Sequence, residues 1–264
     1  MNGYESIVKV LLETGKVEID SKDNDGRTPL LWAALFNREA VVKIFLDTDK
    51  VDLDSKDNDG RTPLSYAAMS KNKALIKMLL DTGKVDVDSK DNDGRTPLSH
   101  AAWYGREAVI KMLLDTDKVD VDSKDNDGRT PLSWAAKNQD EAVVKMLLDT
   151  GKVEIDSKDN DGRTPLSHAA WYGREAVIKM LLDTDKVDVD SKDDDGRTPL
   201  SWAAESGNEA VVKMFVDTGK VAINSNDNDG QTPLSWAVES GSEAIVKLLL
   251  SRGCAPIYLS DNSG

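Results

Sequence analysis

Residues 88–125 read DSKDNDGRTPLSHAAWYGREAVIKMLLDTDKVDVDSKD, and residues 156–193 repeat that string without a change. Its centre, Asp-Gly followed by Thr-Pro-Leu, returns at Asp25-Gly26, Asp59-Gly60, Asp93-Gly94, Asp127-Gly128, Asp161-Gly162, Asp195-Gly196 and Asp229-Gly230, always 34 residues on. A fixed period of this size marks an array of small stacked modules rather than one large core.

Each module has a physical reading. In the first, Thr28 offers a hydroxyl to cap a helix, and Pro29 takes the first helical position, where no N–H is needed. Leu30, Ala33 and Ala34 fall at i, i+3 and i+4, a narrow apolar face whose small members let neighbouring helices approach. A break follows near Asn37, where other modules carry Gly105, Gly173, Gly207 and Gly241. A second helix is predicted from Glu39 to Thr48, with Val41, Val42, Phe45 and Leu46 available to pack. After it stand Gly15, Asp49, Gly83, Asp117, Gly151, Asp185 and Gly219 in alternation, residues that accept the left-handed conformation ending a helix, Gly far better. The remainder is extended and turns tightly at Asp-Gly.

Gly-Arg-Thr-Pro-Leu-Ser-x-Ala-Ala resembles the ankyrin repeat, whose pattern is two antiparallel helices and a projecting β-turn finger. The resemblance implies an all-α solenoid of helix-turn-helix units with β-turn fingers, and a protein-binding rather than catalytic role. Two departures stand out. Ser65, Ser99, Ser133, Ser167, Ser201, Ser235 and, once, Leu31 replace the family's usual His, so a shorter Ser contact to the capping Thr is expected. The period is 34 rather than 33. In both respects the array is similar to the ankyrin tails of filamentous-fungal NOD-like (NACHT-type) sensor proteins.

The expected layout is one domain over 1–264: a partial unit at 1–20, seven units over about 21–254, and the start of a truncated unit at 255–264. Beginning and stopping inside a unit suggests a fragment of a longer protein, the other reading being a short protein with degenerate caps. The identical copies two units apart point to growth by duplicated pairs.

Charged residues make up 31% of the 264, and the net charge is −14, a balance that repels phosphate backbones and argues against nucleic acid. A lone Cys254 cannot form an internal disulfide, and no apolar run is long enough for a membrane span or a signal peptide. An intracellular, cytoplasmic chain is expected, with a monomer admitted.

Variation between copied units locates candidate binding residues. With Leu30 at the centre of the buried face, Trp32 lies roughly 200° away, and Leu35 and Phe36 about 140° and 240° away. The Trp32 position carries Trp32, Tyr66, His100, Trp134, His168, Trp202 and Trp236; the two outer positions include Phe36, Trp103-Tyr104 and Trp171-Tyr172. These twelve are the expected partner-binding residues, aligned toward the groove between helices and fingers. Trp and Tyr cover much area with few rotatable bonds. At the Trp32 position a framework role is equally open, because nearly every unit has a large ring there. Trp103, Tyr104, Trp171 and Tyr172 are favoured, since their sites hold polar residues in other units. The last two units carry Glu205-Ser206 and Glu239-Ser240 instead. A structural spacer or self-associating array is the competing reading.

Catalytic and metal chemistry finds no purchase. An EF-hand aligned on Gly26 would need Asp and Glu where Ser21 and Trp32 stand, so the Asp-rich turn reads as solvated, answered locally by Arg27. Adjacent helical residues point about 100° apart, so Ser99 and His100 cannot act as nucleophile and base. Two histidines and one cysteine make no zinc site, and no phosphate-binding Gly-rich loop occurs. No cofactor is expected. The recurring lysines from Lys9 to Lys247 on the second helices read as a solvated outer face.

Overall fold

The computed structural model describes residues 4–48 and 50–254 and falls into two compact units, Met1–Pro131 and Leu132–Gly264. Among the described residues all regular structure is helical. The first unit holds α1 (Tyr4–Glu13), α2 (Pro29–Leu35), α3 (Glu39–Leu46), α4 (Pro63–Met69), α5 (Lys73–Asp81), α6 (Pro97–Trp103) and α7 (Glu107–Leu114). The second runs through α8 (Pro131–Asn138), α9 (Glu141–Asp149), α10 (Pro165–Trp171), α11 (Glu175–Leu182), α12 (Pro199–Glu205), α13 (Glu209–Asp217), α14 (Pro233–Glu239) and α15 (Glu243–Ser251). Even-numbered helices are the first helices of their modules and stack on one another, α2 on α4 on α6 and α10 on α12 on α14. Odd-numbered helices form a second layer, α1 on α3 on α5 on α7 and α9 on α11 on α13 on α15. The expected truncated unit at 255–264 and the expected turn at Asp49 lie outside the described residues.

Local chemistry sets each boundary. Thr62, Thr96, Thr164, Thr198 and Thr232 accept the backbone N–H of the Ser three residues on, with Pro next to the cap. The Ser hydroxyl comes within 3.1 Å of the Thr96 hydroxyl in α6, the short contact that replaces a His bond. Both groups are wholly buried, so satisfying them inside the cap removes a desolvation cost. The second helices end on left-handed residues: Gly83 at φ 64°, Asp117 at 54°, Gly151 at 64° and Asp185 at 54°. Leu64, Leu98, Leu132, Leu166 and Leu200, with the paired alanines behind them, have no exposed surface. Burying each such Leu contributes about 1.5–3 kcal/mol, repeated once per module. The lysines Lys43, Lys77, Lys111, Lys145, Lys179, Lys213 and Lys247 are exposed on the opposite side.

The fingers are tied to one another as well as to the helices. Within a finger Gly60 N–H donates to Asp57 O at 3.0 Å and Asp57 N–H to Arg61 O at 3.1 Å. Between fingers of the first unit, Asn58 N–H reaches Asp25 O, Asn92 N–H reaches Asp59 O and Asn126 N–H reaches Asp93 O, each at 2.9 Å. The amides of Asn58, Asn92 and Asn126 donate to the carbonyls of Asn24, Asn58 and Asn92, a ladder with one rung per module. This closeness explains the invariable Gly: a Cβ on Gly60, which sits at φ 77°, would lie 2.7 Å from Asn92 N.

Candidate partner-binding face

The finger folds back over its own first helix, and one carboxylate organises the junction. Asp91 Oδ1 accepts the N–H of Asp93 at 3.0 Å and of Arg95 at 2.8 Å, shaping the turn. Its Oδ2 meets His100 Nε2 at 2.8 Å. The same nine-residue link joins Asp159 to His168, Trp32 Nε1 to Asp23, Tyr66 OH to Asp57, Trp202 Nε1 to Asp193 and Trp236 Nε1 to Asp227, at 2.5–3.0 Å. Each of these six rings therefore locks finger to helix.

Two expectations are corrected by this geometry. Tyr66, His100, Trp134, His168 and Trp202 are buried and Trp236 is half-buried, so their position does not open on the groove as a helical wheel suggests. The wheel treats the helix as lone, whereas the finger covers that side. Trp32 is the exception, 39% exposed. The acidic turns are not wholly solvated either: Asp57, Asp91, Asp125, Asp159, Asp193 and Asp227 are buried, while their neighbours Asp25, Asp59, Asp93, Asp127 and Asp161 face solvent and pair with Arg27, Arg61, Arg95, Arg129 and Arg163 at 2.8–3.3 Å.

The donor type tunes the buried acid. Burial pushes the Asp91 and Asp159 carboxyls up, but the bonds from His100 or His168 and from backbone N–H groups outweigh it, and both settle below the usual value. At Asp193 burial prevails over Arg197 N–H and the Trp202 indole, and that carboxyl is raised.

The rings left exposed are Trp32, Phe36, Tyr104, Trp171 and Tyr172, and among the described residues every exposed ring lies on or directly after a first helix. Cations line them. In the first unit Trp32 stacks on Phe36 at 5.0 Å, Arg95 lies 4.6 Å from the half-buried Trp103 ring, and Arg106 lies 5.6 Å from Tyr104. In the second Trp171 meets Trp202 edge-on at 5.0 Å, and Lys137 and Arg174 lie 5.2 and 5.8 Å from Tyr172. Arg197 stands between the Trp202 and Trp236 rings, 3.7 and 3.8 Å from each, and pairs with Glu205. Here Glu occupies the site that Trp103 and Trp171 hold elsewhere.

The family description "ankyrin repeats (3 copies)" matches residues 1–57, 42–125, 117–193 and 185–258, nearly the whole chain. The chain belongs to the ankyrin repeat family. Its fold is similar to the crystal structure of the ankyrin repeat domain of Bcl-3, a member of the IkappaB family, at 25% identity and a TM-score of 0.73, covering 86% of this chain and all of that one. No curated protein matches the chain.

For an ankyrin array, the rings at the ends of the first helices were legible, but their cations were not. Arg106 and Arg174 also reach back one module, donating from Nε to the carbonyls of Met69 and Lys137 at 2.9 Å. The signal was present as Tyr-Gly-Arg in both copies, an Arg two residues past an exposed ring. Among the described residues no cluster of His, Cys, Asp and Glu could hold a metal ion, and no helix is long and apolar enough to cross a membrane.

Proposed function

We propose that the chain is a non-catalytic scaffold that binds a partner protein through the face between its fingers and first helices, as the recognition region of a larger sensor. Ankyrin repeats are generally protein-interaction modules. One observation carries the assignment of the face: the exposed rings gather at the ends of the first helices, whereas the second helices present lysines outward. Tyr104 and Tyr172, 47% and 39% exposed beside Arg106 and Arg174, are the favoured anchors. An exposed ring backed by a cation suits a partner with apolar and acidic groups. Buried rings such as Trp134 and Trp202 act as framework in this proposal.

Tyr104→Ala combined with Tyr172→Ala tests it. Partners captured by the wild type and identified by mass spectrometry should be lost from the double variant, with helicity and urea midpoint retained. Truncating a ring hot spot commonly costs 2 kcal/mol or more, about thirtyfold in Kd. Unchanged capture by a folded double variant would place binding elsewhere.

A further inference from the structure

A cleft of about 200 Å³ lies between the α4–α5 and α6–α7 connections, its walls including Ser70, Lys71, Lys73, Gly105, Arg106 and Glu107. Cations therefore prevail there, in a chain whose net charge is −14. Local structure turns the two lysines outward. Asn72, between them, faces its own helix: Oδ1 accepts the N–H of Ala74 at 3.0 Å and of Leu75 at 3.2 Å, and Nδ2 donates to Glu39 at 2.8 Å. Lys71 and Lys73 are exposed and make no ion pair among the described residues. Arg106 is pinned by its Nε–H to Met69 O at 2.9 Å with its guanidinium 5.6 Å from the Tyr104 ring, so the cleft adjoins that exposed ring.

The fold itself has no use for Lys73. Every other module with both helices opens the second on Glu, whose charge suits the positive end of the helix dipole. A lysine there opposes the dipole, and no carboxylate among the described residues pairs with it.

The second copy of the repeated string supplies the contrast. Residues 171–175 again read Trp-Tyr-Gly-Arg-Glu, and Arg174 donates to Lys137 O as Arg106 does to Met69 O. The facing loop differs. Gln139, Asp140 and Glu141 stand where Lys71, Asn72 and Lys73 do, and Lys137 where Met69 does. Gln139 Oε1 accepts Arg174 Nη1–H at 3.2 Å, and Asp140 caps Val143 N–H at 3.1 Å. Asp140, Glu141 and Glu175 thus outnumber Lys137 and Arg174 beside Tyr172. The same ring and arginine are presented in two opposite fields.

We infer that the Tyr104 cleft receives an acidic segment of the partner protein, with carboxylates on Lys71, Lys73 and Arg106 and an apolar side chain beside them on the Tyr104 ring. This inference rests on Tyr104 being a partner-binding residue and names the chemistry that binds it. Charge complementarity selects a short run of carboxylates over nucleic acid. A few carboxylates within a Debye length, about 8 Å, sense the local cations, whereas a long polyphosphate meets the whole acidic chain.

The probe is a terminally blocked peptide, Glu-Glu-Phe-Glu-Glu, titrated into the full chain labelled with fluorotyrosine. Tyr104 and Tyr172 fluorine resonances are assigned with Tyr104→Phe and Tyr172→Phe. At low salt a saturable shift of Tyr104 is expected with a Kd on the order of 1 mM, at least about tenfold tighter than any at Tyr172. Raising the salt to about 0.5 M should weaken it several-fold. Lys71→Gln with Lys73→Glu should weaken it about tenfold with unchanged circular dichroism. Gln139→Lys, Asp140→Asn and Glu141→Lys together should bring the shift to Tyr172. Equal binding at both tyrosines, equal binding of a Gln-Gln-Phe-Gln-Gln peptide, or indifference to the lysine exchange would each overturn the inference. So would displacement of the peptide by an equal concentration of inorganic phosphate, because the cleft would then hold a free anion. The two readings fail separately. Captured partners lost with Tyr104→Ala and Tyr172→Ala but kept with the lysine exchange uphold the face and overturn the acidic segment; partners kept with both overturn the face itself.

Discussion

Trp202 illustrates how one side chain serves two purposes with its two parts. Its indole N–H donates to Asp193 at 2.8 Å, while its ring lies against Arg163, Arg197 and the edge of Trp171. Trp202→Phe keeps most of the stacking and deletes the donor, leaving a buried carboxylate one partner short. An unpaired buried acceptor costs about 1–3 kcal/mol, so the unfolding free energy should fall by that amount, read as a lower urea midpoint with no change in far-UV dichroism. A variant as stable as the wild type would show that the ring, not its N–H, secures the finger. The rule behind this bond was available in the sequence. Trp, Tyr and His share a polar hydrogen, Phe never occupies the position, and an Asp stands nine residues earlier in every unit. Reading these rings by area alone leaves a binding ladder and a framework equally open; reading them by donor chemistry points to the frame. Tyr104 and Tyr172 were found because the opposite holds there, with Ser, Asn and Phe taking their place in other units.

At the scale of the element, the finger ladder contains one departure. Asp194 stands where other modules have Asn, and a carboxylate has no N–H to give to the carbonyl below it. Its backbone bond to Asp161 O is 3.1 Å, against 2.9 Å in the neighbouring rung at Asn228. Asp194→Asn restores the rung and should add about 1 kcal/mol, seen as a rise of roughly 2–4 °C in Tm. An unchanged or lower Tm would mean the ladder adds nothing to the finger. The connections behind the helices carry a second ladder, built of acids. Asp86 N–H donates to Asp54 and Asp120 N–H to Asp88, which places successive carboxylates side by side. Burial, then repulsion from Asp86 and Asp52, raises Asp54; burial, then Asp120 and Asp86, raises Asp88; burial likewise raises Asp156 and Asp190. A group with a raised folded pKa favours the fold most when protonated, and that contribution is lost as pH climbs through the folded value. Asp91 and Asp159 are lowered and act oppositely, their contribution disappearing as pH falls through their folded values, below the ordinary carboxylate range. Urea midpoints should therefore rise as pH falls from neutral toward the ordinary carboxylate range and drop again under stronger acid. Asp88→Asn, at a carboxylate whose Oδ1 is buried without a partner, should raise the midpoint at pH 7.5 and shrink its change with pH. A flat profile in the wild type would count against the repulsive ladder. The helices themselves were plain from Thr-Pro-Leu and the Gly or Asp stops. These lateral ladders were not, because they join residues 32 or 34 apart whose pairing only the stacked backbone defines.

For the molecule as a whole, stability in a repeat array is the sum of each module's own term and its contacts with nearest neighbours. A module with a neighbour on one side only must then open more often than one enclosed on both. The structure supplies the contrast within the first unit. Ile7, Val10 and Leu11 of α1 are 57%, 59% and 45% exposed, while Leu75, Ile76 and Leu79 of α5, the same layer two helices on, are fully buried. Each exposed residue forgoes most of the roughly 1.5–3 kcal/mol that full burial confers, so α1 lacks much of the apolar energy that holds α5. Opening free energies range from near zero at fraying ends to the global value in enclosed elements, and amide exchange reads them residue by residue. Exchange in α1 should thus run at least a hundredfold faster than in α4 and α5, a gap of about 2.7 kcal/mol or more. If α1 is instead as protected as α5, its apolar side is covered in solution, and the nearest-neighbour picture must include whatever covers it.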